Sequence, residues 1–197
     1  MKRALVVIDY QNDFVSGTLG SEAARSIEGA LCARVKEAIS DGYDVFFTRD
    51  THDSGYPDTN EGSHIPVTHC IRGTYGWEIH GSLRDLSETC TVIDKPTFGS
   101  EKLAHVLSDG GYGEVELCGV ATNICVIVNA ALIRTALPEA DILVDPRLVA
   151  SYDDSLGRAA LEVMKGFCID VLERSPSGLR IMTRRSHPPC RPSSWRP

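Results

Sequence analysis

Short apolar runs alternate with helical patterns along the chain. The runs that we predict to be strands are rich in β-branched residues, and most are continuous rather than alternating in polarity. They span residues 4–8, 44–48, 90–93, 114–118, 141–144 and 168–172. Because continuous apolar runs are typical of strands buried on both faces, the pattern predicts a mainly parallel six-stranded sheet.

The segments between these runs carry helical spacing. Helices are predicted over residues 21–40, 101–107, 122–136 and 154–165. The regular alternation of strand and helix predicts a doubly wound α/β domain with helices on both faces of the sheet. Residues 49–83 break the alternation: they are polar and rich in Gly, Pro, Thr and His. Loops of that length in a compact domain are usually functional.

The charge distribution divides the chain in two. The whole chain of 197 residues has a net charge of −7, but residues 174–197 hold six Arg, five Pro and no acidic residue. The rest carries 14 of the 20 basic groups and all 27 acidic groups, hence −13. We therefore predict one domain over residues 1–173 and a basic Pro/Arg-rich tail over residues 174–197. The acidic domain argues against a nucleic-acid partner.

Composition also bears on location. No apolar stretch approaches the ~20 residues that a membrane-spanning helix needs, so no membrane partner is expected. The seven cysteines include no C-x-x-C pair, and scattered single cysteines fit a reducing compartment. We expect a cytoplasmic protein.

Reactive side chains follow four of the predicted strands. Asp9, Asp50 and Lys95 follow the first, second and third runs, and Cys125 lies in the segment "GVATNIC" after the fourth. Ligands of open α/β sheets bind beyond the carboxyl ends of the strands, so these side chains should meet in one cleft. A carboxylate, an ammonium and a thiol together provide a base, a cation and a nucleophile.

Cys125 has two interpretations. If Thr122 caps the helix over residues 122–136, Cys125 lies in the first turn, where free N–H groups and the helix dipole favour a thiolate and lower its pKa. The same N–H groups can hold an oxyanion. Alternatively, Cys125 is a packing residue of an apolar helix and Asp9 is an ordinary loop residue. Lys95 favours the first interpretation, because a buried lysine is costly unless it is paired.

The long polar loop offers metal ligands. Its sequence "RDTHDSGYPDTNEGSHIPVTHC" contains three of the six histidines within 18 residues, and Asp50 and His52 have D-x-H spacing. Carboxylate and imidazole ligands suit Zn²⁺, Mn²⁺ or Fe²⁺. We predict one divalent ion, with Zn²⁺ preferred; the alternative is a polar loop that merely contains histidines. The candidate ligands in this loop are Asp50, His52, Glu61, His64 and His69.

Five motifs carry a family resemblance. In order and spacing, "VVIDYQNDF", "FTRDTHD", "HCIRGTYGWEIH", "DKPTFGS" and "LCGVATNICV" resemble the isochorismatase-like cysteine hydrolases, and within them the nicotinamidases, over roughly residues 1–173. The resemblance implies the isochorismatase-like hydrolase fold. It also implies a homo-oligomer, because relatives are commonly oligomeric.

The resemblance assigns roles to single residues. It implies a catalytic triad of Asp9, Lys95 and Cys125. Asp50, His52 and His69 match the metal ligands, with Glu61 preferred to His64 as a possible fourth.

The pocket residues follow from the same resemblance. It implies a cis peptide bond between Val120 and Ala121, an oxyanion hole formed by the N–H groups of Ala121 and Cys125, and Phe14 in the substrate pocket. One departure is Ile65, which stands with Pro66 where nicotinamidases often have a Trp-Pro pair.

The function that this resemblance implies is hydrolysis of a small carboxamide through a cysteine thioester, foremost nicotinamide to nicotinate and ammonia. Two alternatives stay open: another cysteine amidase of the superfamily, acting on a ureido, carbamoyl or other small amide, and a non-catalytic scaffold on the same fold.

Overall fold

A computed structural model describes residues 1–172, which form one parallel sheet in the strand order β3-β2-β1-β4-β5-β6. The strands are β1 (Lys2–Ile8), β2 (Asp44–Asp50), β3 (Thr91–Lys95), β4 (Tyr112–Val120), β5 (Asp141–Ala150) and β6 (Asp170–Val171). Every pair of neighbouring strands is parallel. The predicted α/β class and six-stranded sheet are confirmed. The predicted tail, residues 174–197, lies outside the described residues.

Eight α-helices connect and cover these strands within the described range. They are α1 (Asn12–Val15), α2 (Glu22–Ser26), α3 (Glu28–Ser40), α4 (Asn60–His64), α5 (Ser82–Ser87), α6 (Glu101–Asp109), α7 (Ile127–Ala136) and α8 (Asp154–Gly166). Two 3₁₀ turns, Tyr56–Asp58 and Tyr75–Trp77, lie in the long polar loop, and a π-helical turn, Thr122–Val126, precedes α7. None of the helices in residues 1–172 has both the length and the apolarity required to cross a membrane.

The central strand β1 shows why its sequence is apolar at every position. Ala4, Val6 and Ile8 pack into one cluster with α6, α7 and α8, whereas Leu5 and Val7 pack into a second cluster with α3 and α5. All five side chains are completely buried. Because successive side chains of a strand point to opposite faces, a sheet covered on both faces requires this continuous run.

Several predicted elements have different bounds in the structure. The helix predicted over residues 21–40 is divided at Ile27 into α2 and α3. The strand predicted over residues 141–144 continues past Pro146 to Ala150, because a shift in the β4–β5 register places the proline in a bulge. The last strand shrinks to Asp170–Val171.

The sheet topology creates the site. β2 and β3 lie on one side of β1, and β4, β5 and β6 lie on the other. The order in which successive strands are added to the sheet therefore changes direction between β1 and β4. Such a switch point leaves a crevice at the carboxyl ends of the strands. The two strands approach closely there: Gly119 pairs with Ile8, has a φ of 107°, and a Cβ at this position would clash with the backbone of Ile8.

A buried ion pair joins α3 to β4 and yields a stability prediction. Arg34 Nη2 lies 2.7 Å from Glu116 Oε2, and both side chains are almost fully buried. Arg34→Met should lower the free energy of unfolding by about 3 kcal/mol, because it takes the cation from a buried carboxylate. Urea unfolding measures the change.

The matched control is Arg25→Met, which removes an exposed pair with Glu22. Exposed pairs contribute about 1 kcal/mol or less. Replacing both buried partners, Arg34→Met with Glu116→Leu, should recover much of the lost stability. Equal costs for Arg34→Met and Arg25→Met would contradict the account.

Candidate active site and metal centre

The carboxyl ends of four strands bring four reactive side chains together. Asp9 follows β1, Asp50 and Lys95 are the last residues of β2 and β3, and Cys125 lies in the π-helical turn after β4. The parallel register pairs Asp50 directly with Lys95. All four residues are buried. The arrangement follows from the sheet, because parallel strands present their carboxyl ends, and the polar residues there, at the same edge.

Asp9, Lys95 and Cys125 form a compact group. Lys95 Nζ lies 2.6 Å from Asp9 Oδ2 and 3.8 Å from Cys125 Sγ. Thr48 holds the other carboxylate oxygen: its hydroxyl donates to Asp9 Oδ1 at 2.6 Å and accepts from Asp9 N–H at 3.2 Å. Asp9 Oδ2 faces the Lys95 ammonium, and a hydrogen bond between Asp9 and the Cys125 thiol gives the carboxylate direct access to the thiol proton.

Burial and charge set the protonation of this group. Burial lowers the pKa of Lys95, but the nearby carboxylates of Asp9 and Asp50 outweigh it and raise the pKa, so the ammonium stays charged. Burial also raises the pKa of Asp9, and the charge of Lys95 opposes that rise. For Cys125, burial raises the pKa of the thiol well above its usual value, with Lys95 only partly offsetting it.

The expected lowering of the thiol pKa is therefore wrong for the free protein. Burial raises the pKa of the thiol, and the nearby carboxylates of Asp9 and Asp50 raise it further, so the thiol is protonated at rest and needs a base. The expected cap is also displaced by one residue: Ala121, not Thr122, occupies the N-cap position. Its carbonyl accepts from the N–H groups of both Ile124 and Val126 at 3.1 Å, which forms the π-helical turn.

The peptide bond between Val120 and Ala121 is cis. Ala121 and Cys125 both line a cavity of about 370 Å³, which extends from the thiol to the side chains of Asp50, Glu61 and His69. Its walls are mostly apolar and include Phe14, Ile65, Phe98, Ile124 and Tyr152.

At its polar end the cavity meets a cluster of potential metal ligands. One ligand atom from each of Asp50, His52, Glu61 and His69 lies within 4.8 Å of the others. Asp50 Oδ2 is 2.9 Å from His52 Nε2 and 3.4 Å from His69 Nε2, and Glu61 Oε1 is 3.6 Å from His52 Nε2. Burial alone would raise the pKa of Asp50, but the two imidazoles and Lys95 outweigh it and lower the pKa, so Asp50 remains a carboxylate.

These residues fit a divalent ion. His69 Nδ1 lies 2.7 Å from the carbonyl oxygen of Val67, and donation of a hydrogen bond there leaves the Nε2 lone pair directed at the cluster. Two imidazoles with two carboxylates suit Zn²⁺, Mn²⁺ or Fe²⁺. His64 is not part of the cluster: it is exposed and its Nδ1 lies 2.8 Å from Asn60 O within α4. The short helix turns Glu61 inward and His64 outward, which favours Glu61 as the fourth ligand.

Two residues of the site were missed from the sequence. Thr48 positions Asp9. The feature of the sequence that could have identified Thr48 is a hydroxyl near the end of a buried strand, because a buried polar group must be paired. Gln11, in the "DYQNDF" motif, is completely buried and contacts the backbone of Asp50. Both contacts bridge residues 39 positions apart, a separation that no local pattern encodes.

Comparisons with known proteins agree with this geometry. The chain is 32% identical over 191 residues to the nicotinamidase/pyrazinamidase of Mycobacterium tuberculosis (strain ATCC 25618 / H37Rv), which covers 86% of this chain and 98% of the relative. The structure resembles the crystal structure of the nicotinamidase/pyrazinamidase PncA of Bacillus subtilis, with a TM-score of 0.80, 30% identity and coverage of 88% of this chain and 100% of that chain.

A third similar structure is the pyrazinamidase of Pyrococcus horikoshii in complex with zinc, with a TM-score of 0.77, 25% identity and coverage of 88% and 100% of the two chains. The family model of the isochorismatase domain matches residues 3–175. With most of its length matched by that model, the chain belongs to the isochorismatase family.

Proposed function

We propose that this protein hydrolyses nicotinamide to nicotinate and ammonia through a thioester on Cys125. Its family and its similarity to nicotinamidases make it an amide hydrolase. The observation that carries the narrower proposal is the shared cavity, which joins the thiol of Cys125 to a cluster of four metal-ligating side chains. A pyridine carboxamide has a scissile amide at one end and a ring nitrogen at the other, which matches these two ends.

The first step needs a base because the thiol is protonated at rest. Asp9 accepts the thiol proton, and Lys95, 2.6 Å from Asp9 and 3.8 Å from Cys125, stabilises the negative charge as it moves to sulfur. The thiolate then attacks the amide carbon. The N–H groups of Ala121 and Cys125 donate to the oxygen of the resulting tetrahedral intermediate.

Asp9 serves again in the second half of the reaction. It gives its proton to the leaving nitrogen, so ammonia departs and a thioester remains on Cys125. Asp9 then takes a proton from a water molecule, whose oxygen attacks the thioester carbon. The acid leaves, and the proton on Asp9 returns to sulfur, so the thiol and the carboxylate are both restored.

The metal cluster has a separate task in this scheme. Asp50, His52 and His69, with Glu61 as fourth, would hold one divalent ion, and the zinc complex of the Pyrococcus pyrazinamidase supports Zn²⁺. The ion would supply a Lewis-acidic position for a ring nitrogen or ordered water. The protein itself orients the ring, since Phe14 lines the cavity with its ring 5.4 Å from that of His69.

A second candidate is hydrolysis of a ureido, carbamoyl or other small amide by the same triad. Ile65 favours it, because this aliphatic side chain lines the cavity where nicotinamidases often have tryptophan. A substrate panel with ammonia release as the readout separates the two candidates. The cytoplasmic location and the homo-oligomer remain predictions.

The nucleophile can be tested by substitution. Cys125→Ala should lower kcat by more than about 1,000-fold, because no other cysteine is among the described residues that line the cavity. The matched control is Cys90→Ala, which alters a partly buried thiol outside the site and should retain activity. Ammonia release measures both variants. Turnover by Cys125→Ala at the wild-type rate would exclude the covalent mechanism.

The metal can be tested by removal and by substitution. Chelation and His52→Ala should each lower nicotinamide hydrolysis by about 100-fold, because the substrate loses its positioning. Added Zn²⁺, Mn²⁺ or Fe²⁺ should restore the chelated protein. His64→Ala is the control, since His64 lies outside the cluster. Elemental analysis should find about one ion per chain; full activity after complete metal removal would exclude a role in positioning.

The ring nitrogen provides a third test. Benzamide has the same amide but no ring nitrogen, so kcat/KM for benzamide should be about 10- to 100-fold below that for nicotinamide. Equal kcat/KM values for the two substrates would show that the metal cluster does not recognise the ring nitrogen. That result would favour the second candidate, an amidase for other small amides.

A further inference from the structure

We propose that Gln11 is a positioning residue that sets the direction of the Asp50 carboxylate and thereby the metal affinity of the site. This inference rests on the metal centre of the proposed function. Gln11 lies two residues after Asp9 and is completely buried, and the side-chain hydrogen bonds that the structure describes for it go to backbone atoms and not to the candidate ligand atoms. It acts through the backbone of Asp50.

The carboxamide of Gln11 makes three hydrogen bonds. Its Oε1 accepts from the backbone N–H of Asp50 at 2.7 Å, and its Nε2 donates to the carbonyl oxygen of Asp50 at 2.9 Å. The same Nε2 donates to the carbonyl oxygen of Trp77 at 2.8 Å. Both hydrogens of the Gln11 amide are therefore donated in hydrogen bonds, and the N–H and C=O groups of Asp50 are both hydrogen-bonded to Gln11.

The sheet explains why Asp50 needs this partner. The β1–β2 pairing ends at Val7 and Phe47, so β1 does not pair with β2 at Asp50. On the other side, Thr51 N–H donates to Lys95 O on β3. Because the backbone N–H and C=O groups of successive strand residues point to opposite sides, those of Asp50 point away from β3, to the side where β1 pairs with the earlier residues of β2. The side-chain amide of Gln11 takes the place of the missing strand.

The position of the Asp50 backbone is important because the Asp50 carboxylate contacts three side chains. Its carboxylate faces His52 Nε2 at 2.9 Å, His69 Nε2 at 3.4 Å and Lys95 Nζ at 3.2 Å. Few torsions separate the carboxylate from the backbone, so a change at the end of β2 would disturb all three distances together. Groups that orient the ligands commonly contribute 10- to 100-fold to metal affinity.

The same segment also supports the second half of the cluster. Asp13 Oδ2 accepts from Cys70 N–H at 2.7 Å, directly after His69, and the ring of Phe14 packs on that of His69. The N–H of Gln11 donates to Asp9 O at 2.8 Å. The turn after β1 thus ties the proposed base to the ligands on both sides of the cluster.

Asn12 provides a matched control within the same turn. It is also a nearly buried amide, and its Nδ2 donates to Tyr75 O at 2.7 Å, in the 3₁₀ turn that also accepts from Gln11. Its Oδ1 lies 2.7 Å from His80 Nδ1, and no contact reaches Asp50 among those the structure describes. Loss of either side-chain amide should lower local stability. Only the loss of the Gln11 amide should also weaken metal binding.

The experiment compares Gln11→Met with Asn12→Leu in the full chain. Zn²⁺ affinity is measured by competition with a chromophoric chelator, and thermal unfolding of the metal-free proteins reports stability. Gln11→Met should bind Zn²⁺ about 10- to 100-fold more weakly than wild type, and its Co²⁺ form should have an altered absorption spectrum. Asn12→Leu should keep the wild-type affinity and spectrum. If Gln11→Met does not fold, Gln11→Glu replaces it: this variant keeps the size and the acceptor but loses both donors, and the same loss is expected.

The outcomes separate this inference from the proposed function. If wild type takes up no metal, the metal centre and the role of Gln11 both fail. If wild type binds Zn²⁺ and Gln11→Met binds it equally well, the metal centre stands and the inference is overturned. Equal losses in Gln11→Met and Asn12→Leu would also overturn it, because they would reduce Gln11 to a general structural role.

Discussion

One buried ammonium group holds the two halves of this site together. Lys95 Nζ lies 2.6 Å from Asp9, 3.2 Å from Asp50 and 3.8 Å from the sulfur of Cys125, and it donates to Thr97 O at 2.9 Å. Two carboxylates this close and this buried would repel each other strongly without a cation between them. Lys95 makes their coexistence possible, and in doing so it links the proposed nucleophile to the proposed metal centre.

The sheet is what makes this ion cluster possible. Parallel strands present their carboxyl ends at one edge, and the in-register pairing of β2 with β3 sets Asp50 beside Lys95. The reversal of strand order between β1 and β4 then brings Asp9 and the turn with Cys125 to the same crevice. Hydrogen bonds from Thr48 and Gln11 hold the strand ends. The apolar core on both faces of the sheet offsets the cost of burying so many polar groups.

Much of this arrangement could be predicted from the sequence because its signals are local. Continuous apolar runs identify strands covered on both faces, and the polar residue after each run marks the edge where a ligand binds. The rest depends on contacts between distant residues. The pKa of Cys125 is set by its enclosure with Asp9 and Asp50, which a helix start alone does not reveal. The helical spacing of residues 21–40 likewise does not reveal the break at Ile27, a buried residue that ends α2 and precedes α3.

The central claim is that Cys125 carries the acyl group during turnover. The most direct measurement is rapid acid quenching during hydrolysis of nicotinamide, followed by mass spectrometry of the intact chain and of its peptides. The account predicts that the chain gains one nicotinoyl group in place of a hydrogen, and that the label lies on the peptide containing Cys125. Accumulation of nicotinate with no label on that peptide, or with the label on another residue, would contradict it.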